Sequence, residues 1–328
     1  MTSQDTSGRP FDDIRALTAS MPQPDVKAQD GVANVLSAFS ENLNPLGRNA
    51  DYAKWLAGWQ GRLPSVDRPL ITVFAGSHNV ARHMFGDDVV PKAQARVKSM
   101  TEGAAGVRGI STSLQSAFKV FELGIEYPSA DFTKEPSLSE KDCAAAIAFG
   151  MEVVAEGADI IALGNAGFGS ASAAAAIALG LFGGTAEYWA GGEGEAAQAR
   201  IKLVSEGAKL HKDLLGDPLE VLRCFGGRDI AGMVGAILAA RHQAIPVILD
   251  GYVVCAAAAV LHKINPDSIA HCIAGHVTAE PAHRALLDRL GLTPMLDLGI
   301  GIGDGTGAAF ALGTLRSTCQ ALATLKTA

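Results

Sequence analysis

In the stretch Leu296–Phe310, LDLGIGIGDGTGAAF, glycine occupies every second position from Gly299 to Gly307, and one carboxylate, Asp304, stands among them. Glycines this dense let backbone approach a ligand closely. A lone, partly desolvated carboxylate in such a place is a candidate general base. It is equally suited to capping the helix that the small residues Ala308 to Leu315 predict. A second glycine loop, LGNAGFGSASAAAA (Leu163 to Ala176), places Gly164, Asn165, Gly167, Gly169 and Ser170 between an apolar run and a helix start. Free N–H groups and the positive end of a helix dipole there form a natural phosphate site, or else simply a tight turn. The loop is neither a strict dinucleotide fingerprint nor a Walker motif. Gly226-Gly227-Arg228 offers a second anion contact, with a surface ion pair as the alternative for Arg228.

Ser77, His78 and Asn79 follow another strand-like run, without the GxSxG elbow of a serine nucleophile. His276, Thr278, Glu280 and His283 cluster in AGHVTAEPAH, but the order is not HExxH and Pro281 interrupts the helix. Capping and hydroxyl contacts to a ligand are therefore expected from this cluster, and no metal.

The elements that must position these residues alternate. From Arg68 onward short β-rich runs (Pro69 to Gly76, Phe118 to Leu123, the run before Asn165, Ile245 to Leu249, Met295 to Leu298) are separated by helical stretches, among them Leu138 to Glu156 capped by Ser139. This order predicts parallel pairing through right-handed crossovers, hence a doubly wound, mainly parallel α/β sheet, Rossmann-like in class. Ligands bind such sheets at the carboxyl ends of their strands, where the glycine motifs fall. Residues 1–65 differ. They predict helices at Asp12–Ser20, Asp25–Glu41 and Asp51–Gly61, a small helical domain completed by the C-terminal helix, with residues 66–328 as the large nucleotide-binding domain. Trp55 and Trp59, four apart, share one helix face as core anchors.

The chain has 328 residues, 48% hydrophobic and 19% charged, a composition that suits a well-buried α/β protein rather than a disordered one. A net charge of −7 with no basic run argues against a nucleic-acid partner. Residues 160–186 carry no charge, but glycine, asparagine and serine interrupt them too often for a membrane span. Five scattered cysteines without metal spacing and a polar, acidic N-terminus predict a cytoplasmic protein.

Several stretches together carry a resemblance: EYPSADFTKEPSLSEKDCAAAIAFGME, LGLFGGTAEYW, DPLEVLRCFGGRDIAGMVGAILAAR, IPVILDGYVVCAAAA and HCIAGHVTAEPAHRALLDRLGLTPMLDLG. The chain resembles the nicotinate-nucleotide:dimethylbenzimidazole phosphoribosyltransferases, particularly their alphaproteobacterial members, from RPFDDIRAL to the final helix. The resemblance implies a homodimer that uses two small molecules, nicotinate mononucleotide and an aromatic base, and no cofactor. A benzimidazole nitrogen would attack the ribosyl anomeric carbon and expel nicotinate. It places Gly164, Asn165, Gly167, Gly169, Ser170, Arg200, Gly226, Gly227 and Thr278 on the phosphate and ribose side. Ser77, His78, Asn79, Ile302 and Gly303 fall on the base side, and Asp304 is the catalytic base. The family's LGEGTGA is IGDGTGA here, its GEMGIGNTT is GNAGFGSAS, its DHG or NHG is SHN, and its PGxLG is reduced to Asn44-Pro45-Leu46-Gly47. Arg200 keeps the charge of the family's lysine. These departures leave a second reading open: a catalytically impaired paralogue that binds nucleotide, regulates, or joins a complete homologue in a heteromer.

Overall fold

Every residue of β1 (Pro69–Ala75) and β3 (Ile160–Asn165) is buried, as unbroken apolar runs require when helices cover both faces of a sheet. With β2 (Ala117–Glu122), β4 (Val247–Leu249) and β5 (Cys272–Ala274) they form one five-stranded sheet of order β2-β1-β3-β4-β5. All pairs are parallel. The computed structural model describes residues 8–39 and 44–326. The alternating pattern of the sequence thus predicts the fold class correctly. The chain reverses direction of travel across the sheet between β1 and β3, and such switch points are where ligands bind in this architecture. The register aligns Phe74 of β1 with Asn165 of β3, and Leu163 of β3 with Leu249 of β4. The strand ends therefore open at one edge.

Side chains alternate across β1. Leu70 and Phe74 face a core built with Ile147, Ile177, Phe225 and Ile237, while Ile71 faces Ala308, Leu312 and Leu315 of the C-terminal helix. Glycine and alanine set the helix spacing on the first face. A Cβ on Gly150 would stand 1.8 Å from the Gly232 carbonyl, and one on Gly235 1.9 Å from the Ile147 carbonyl. The helices Glu140–Gly150 and Arg228–His242 thus touch backbone to backbone. Ser139 accepts from Asp142 N at 3.0 Å and opens the first of them, as expected.

Helices Val26–Leu36, Asn49–Gln60 and Thr306–Lys326 meet around Val32, Ala53, Ala57 and Leu322. Glu41, the expected end of the second helix, lies outside the described residues. The Asp12–Ala19 helix docks elsewhere, burying Phe11 and Ile14 in the main core. Trp55 and Trp59 do share a face, and both Nε1 groups donate to the Ala270 carbonyl at 3.1 Å. Trp59 is buried; Trp55 is only half-buried.

One predicted strand is absent. Met295 to Leu298 forms no strand: Met295 sits in a bend, and only Leu296 pairs, in a single bridge with His276. The fifth strand comes instead from Cys272–Ala274, just before the His276 cluster. Among the described residues no helix is long and apolar enough to cross a membrane.

Candidate active site

The glycine loop after β3 is laced to the end of β1. Ala166 N donates to the Phe74 carbonyl at 2.9 Å, Phe168 N to Gly76 at 3.0 Å, and His78 N to Phe168 at 3.1 Å. Gly169 then takes φ +98°, a backbone that L side chains rarely adopt, and a Cβ there would stand 3.0 Å from both His78 Cβ and Ala81 Cβ. That turn lets the helix Ser170–Phe182 start at once, aiming its first N–H groups at the sheet edge.

Beneath the loop lies a buried carboxylate. Asp229, fully shielded at the start of the Arg228–His242 helix, accepts from Ser170 Oγ (2.7 Å), Asn165 Nδ2 (2.8 Å) and His78 Nε2 (2.9 Å). Burial alone would raise its pKa. The adjacent His78 and the three donated hydrogen bonds outweigh it and hold the group down at about 2. An ionised carboxylate cannot donate, so His78 must carry its proton on Nε2. Asn165 is fixed at both ends, because its Oδ1 accepts from Gly167 N at 3.0 Å. This side chain, which stands where the family writes glutamate, braces the loop.

The other glycine segment is held by Asp250, also fully buried, at the end of β4. Its oxygens accept from Gly305 N (2.7 Å) and Ala308 N (2.5 Å), and so cap the C-terminal helix. His276 Nε2 lies 3.1 Å from the same carboxylate. Asp304 precedes the helix by two residues. Its Oδ1 accepts from Thr306 N at 3.1 Å, and among the described residues Oδ2 accepts no hydrogen bond. Only 6% of Asp304 is exposed, and the exposed part faces a cavity of about 730 Å³.

That cavity brings together Asn165, Gly167, Gly169, Ser170, Arg200, Thr278, Ile302, Gly303 and Asp304 from the expected set. The remaining expected residues sit elsewhere. Gly164 touches no open space; a Cβ on it would meet Gly305 N at 2.4 Å, so its role is to let β3 pass the Asp304–Gly305 backbone. Gly226 packs on Leu222, and Gly227 on His78 and Asp229. Neither Gly226 nor Gly227 lines the cavity, and Arg228 Nη1 is turned away to the Tyr127 carbonyl at 2.6 Å. Ser77 Oγ donates to the Ile125 carbonyl at 2.7 Å, His78 serves the Asp229 network, and Asn79 lines a separate small cleft with Asp131. None of these three lines the cavity, contrary to the expected base-side role.

Arg200 is already engaged. It meets Glu280 at 2.5 Å and donates to the carbonyls of Ala190 and Gly191, both at 3.0 Å. His283 Nδ1 accepts from Thr278 N at 2.9 Å, which leaves Nε2–H facing Cys255 Sγ at 3.3 Å. Burial, with His276 and Arg284 nearby, holds this imidazole neutral, its pKa down to about 3. His276, Glu280 and His283 therefore turn to three different partners. Arg96 and Tyr252 also line the cavity, and Asp229 and Asp250 hold its two glycine segments, none of which the residue types and spacing singled out as site residues. Each lies in a helix, or at a strand end, with no motif to mark it.

A family model described as "Phosphoribosyltransferase" matches residues 21–328. The nicotinate-nucleotide–dimethylbenzimidazole phosphoribosyltransferase of Allorhizobium ampelinum is 46% identical over 315 residues, 95% of this chain and 93% of its own length. The chain belongs to the nicotinate-nucleotide–dimethylbenzimidazole phosphoribosyltransferase family. The phosphoribosyltransferase of this name from Rhizobium meliloti is also 46% identical, with the same 95% and 93% coverage. Among solved structures, the nicotinate-nucleotide–dimethylbenzimidazole phosphoribosyltransferase of Thermus thermophilus superposes with a TM-score of 0.81 at 28% identity, covering 91% of this chain and 96% of the other.

Proposed function

We propose that this protein transfers the phosphoribosyl group of nicotinate mononucleotide to a benzimidazole-type base, with Asp304 as general base. The observation that carries the reading is the position of Asp304. It shares one cavity wall with the Gly167–Ser170 loop, has one oxygen held by Thr306 N, and leaves the other free. With Ala166, Gly167 and Phe168 N already engaged, the helix start at Gly169 and Ser170 is what offers N–H groups to a phosphate. In the reaction a ring nitrogen of the base forms a bond to the anomeric carbon while the bond from that carbon to the pyridinium nitrogen breaks. The leaving pair neutralises the pyridinium charge, so nicotinate departs without needing a proton. The proton released is the N–H proton of the incoming base, and Asp304 Oδ2 accepts it. The protein's main contributions are alignment of two planar rings and this proton transfer. The family's glutamate is longer by one methylene, so the base must approach Asp304 more closely than it would a glutamate.

The test is direct. Purified protein is incubated with nicotinate mononucleotide and a panel of benzimidazoles and purines, and ribotide is followed by chromatography and mass spectrometry. Asp304→Ala should abolish product, and Asp304→Glu should retain or raise it. Mononucleotide binding without product from any base would refute the transferase reading and favour a nucleotide-binding paralogue. Product formed equally well by Asp304→Ala would remove Asp304 from the mechanism.

The same proposal includes a homodimer. Leu298, Ile302 and Phe310 are 59%, 55% and 45% exposed on the segments that flank Asp304, and apolar side chains in such a place support a covering partner. It also includes the division into a helical unit, residues 1–65, and an α/β unit, residues 66–328, supported by the three-helix cluster around Val32 and Leu322.

A further inference from the structure

Two guanidinium groups line the cavity, and they are not equivalent. Arg200 is held by Glu280 and two carbonyls. Arg96, on the helix Val89–Thr101, makes no ion pair among the described residues. Its one hydrogen bond runs from Nη1 to the Gly167 carbonyl at 2.9 Å, which leaves Nε and Nη2 without a protein acceptor. The group is nevertheless fixed in place. Its guanidinium carbon stands 4.9 Å from the centre of the Phe168 ring, a cation–π distance, and Phe168 itself packs against Phe85 at 5.1 Å. Met84 and Met100 extend this apolar wall.

Arg96 is exposed and lines the cavity, and a cation fixed there without a protein counter-charge favours an anionic ligand. The fork of an arginine matches a carboxylate in two-point contact. The cavity's carboxylates, Glu280 and Asp304, make no ion pair with it among the described residues; Glu280 is bound to Arg200, and Asp304 Oδ1 accepts from Thr306 N. What the cavity offers at Arg96 is thus a planar, positively charged fork beside an aromatic and methionine wall. A flat ring bearing a carboxylate fits both features at once.

We propose that Arg96 is a specificity-determining residue that recognises the carboxylate of an aromatic acid, whose ring lies against Phe85, Met84 and Met100. The inference rests on the transferase reading and deepens it. Under that reading, the carboxylate belongs either to the nicotinate ring of the donor or to a carboxylated acceptor base.

Isothermal titration with benzoate against benzamide, and nicotinate against nicotinamide, tests the recognition without any turnover. The wild-type protein should bind each acid about 10- to 100-fold more tightly than its amide, the range expected for charged hydrogen bonds. Arg96→Met should bring the acid to the level of the amide while amide binding stays unchanged, and Arg96→Lys should keep part of the preference. Equal binding of acid and amide by the wild type overturns the proposal whatever the variants do. So does a preference that survives Arg96→Met, or an Arg96→Met variant that loses inorganic phosphate binding while keeping the acid preference. Turnover then separates the two sources. A raised KM for nicotinate mononucleotide but not for nicotinamide mononucleotide assigns the carboxylate to the donor. Loss of an advantage for benzimidazole-5-carboxylate over benzimidazole assigns it to the acceptor. Absence of transfer by the wild type would refute the transferase reading, and the acid–amide comparison would still decide the role of Arg96.

Discussion

Replacing Asp229 with asparagine tests how the glycine loop is held. The carboxylate is fully buried and accepts three hydrogen bonds, two of them on the same oxygen, from Asn165 Nδ2 and Ser170 Oγ. Asparagine has the same shape, but one oxygen becomes an NH2 group, which must face donors wherever it points. If it takes the place of the doubly bonded oxygen, two charged hydrogen bonds are lost, each worth about 1.5–3 kcal/mol. The depressed pKa gives a second figure: a fall from 3.8 to about 2 corresponds to about 2 kcal/mol of stability. The two bracket a loss of about 2–6 kcal/mol, measurable as a lower urea midpoint with an unchanged slope. The sign of the pH dependence follows from the depressed pKa. The contribution is complete above the unfolded value near 3.8 and is lost as pH falls toward 2. The difference between wild type and Asp229→Asn should therefore be constant above about pH 5 and shrink below pH 4. Loop loosening should also raise KM for the mononucleotide more than it lowers kcat, because the loop positions the helix start at Ser170, whose N–H groups face the phosphate under the proposed function. A urea midpoint unchanged within 0.5 kcal/mol-equivalent of free energy, a value about that of an ordinary surface substitution, would refute the assignment of Asp229 as the brace.

Three further outcomes are expected. Gly164→Ala places a Cβ 2.4 Å from Gly305 N, backbone against backbone, so it should displace Asp304 and reduce kcat while β3 still forms, checked by ribotide assay beside circular dichroism. Asp250→Ala removes two acceptors from the first turn of the C-terminal helix and should destabilise the protein by about 1–3 kcal/mol in urea, with a loss of transfer rate. All five cysteines are buried, and burial pushes the thiols of Cys224 and Cys319 up to about 11 and about 12. Ellman's reagent at pH 8 should therefore react slowly with the folded protein and rapidly, with five equivalents, in denaturant.

Much of the fold is legible in the sequence because its signals are local. Buried apolar runs such as Pro69–Ala75, glycines at helix starts such as Gly169, and the Ser139 cap follow from short-range chemistry that neighbouring residues decide. The apolar run Met295–Leu298 misleads for the same reason. Its composition suits a strand, but only Leu296 finds a bridging partner, and a strand exists only where a neighbour completes its ladder. Cys272–Ala274 is too short to stand out, yet it completes the sheet because β4 lies beside it.

For the site, the residue types and spacing named the two glycine segments and Asp304, and these do line one cavity. What each side chain does there was decided by tertiary structure. Asn165, His78 and Ser170 belong to a buried carboxylate more than 50 residues away in sequence from any of them, and no pattern in the chain ties them to Asp229. Gly164 and Gly227 look like ligand-binding glycines but are required by backbone and side-chain neighbours contributed from distant segments. In the sequence Arg200 stands out only through the resemblance, and nothing marks Arg96. Only the folded chain shows that a carboxylate already engages the first and not the second. Local backbone preference is written in consecutive residues. Pairing of charges and donors depends on which strands and helices meet, and that is settled only when the sheet closes its order.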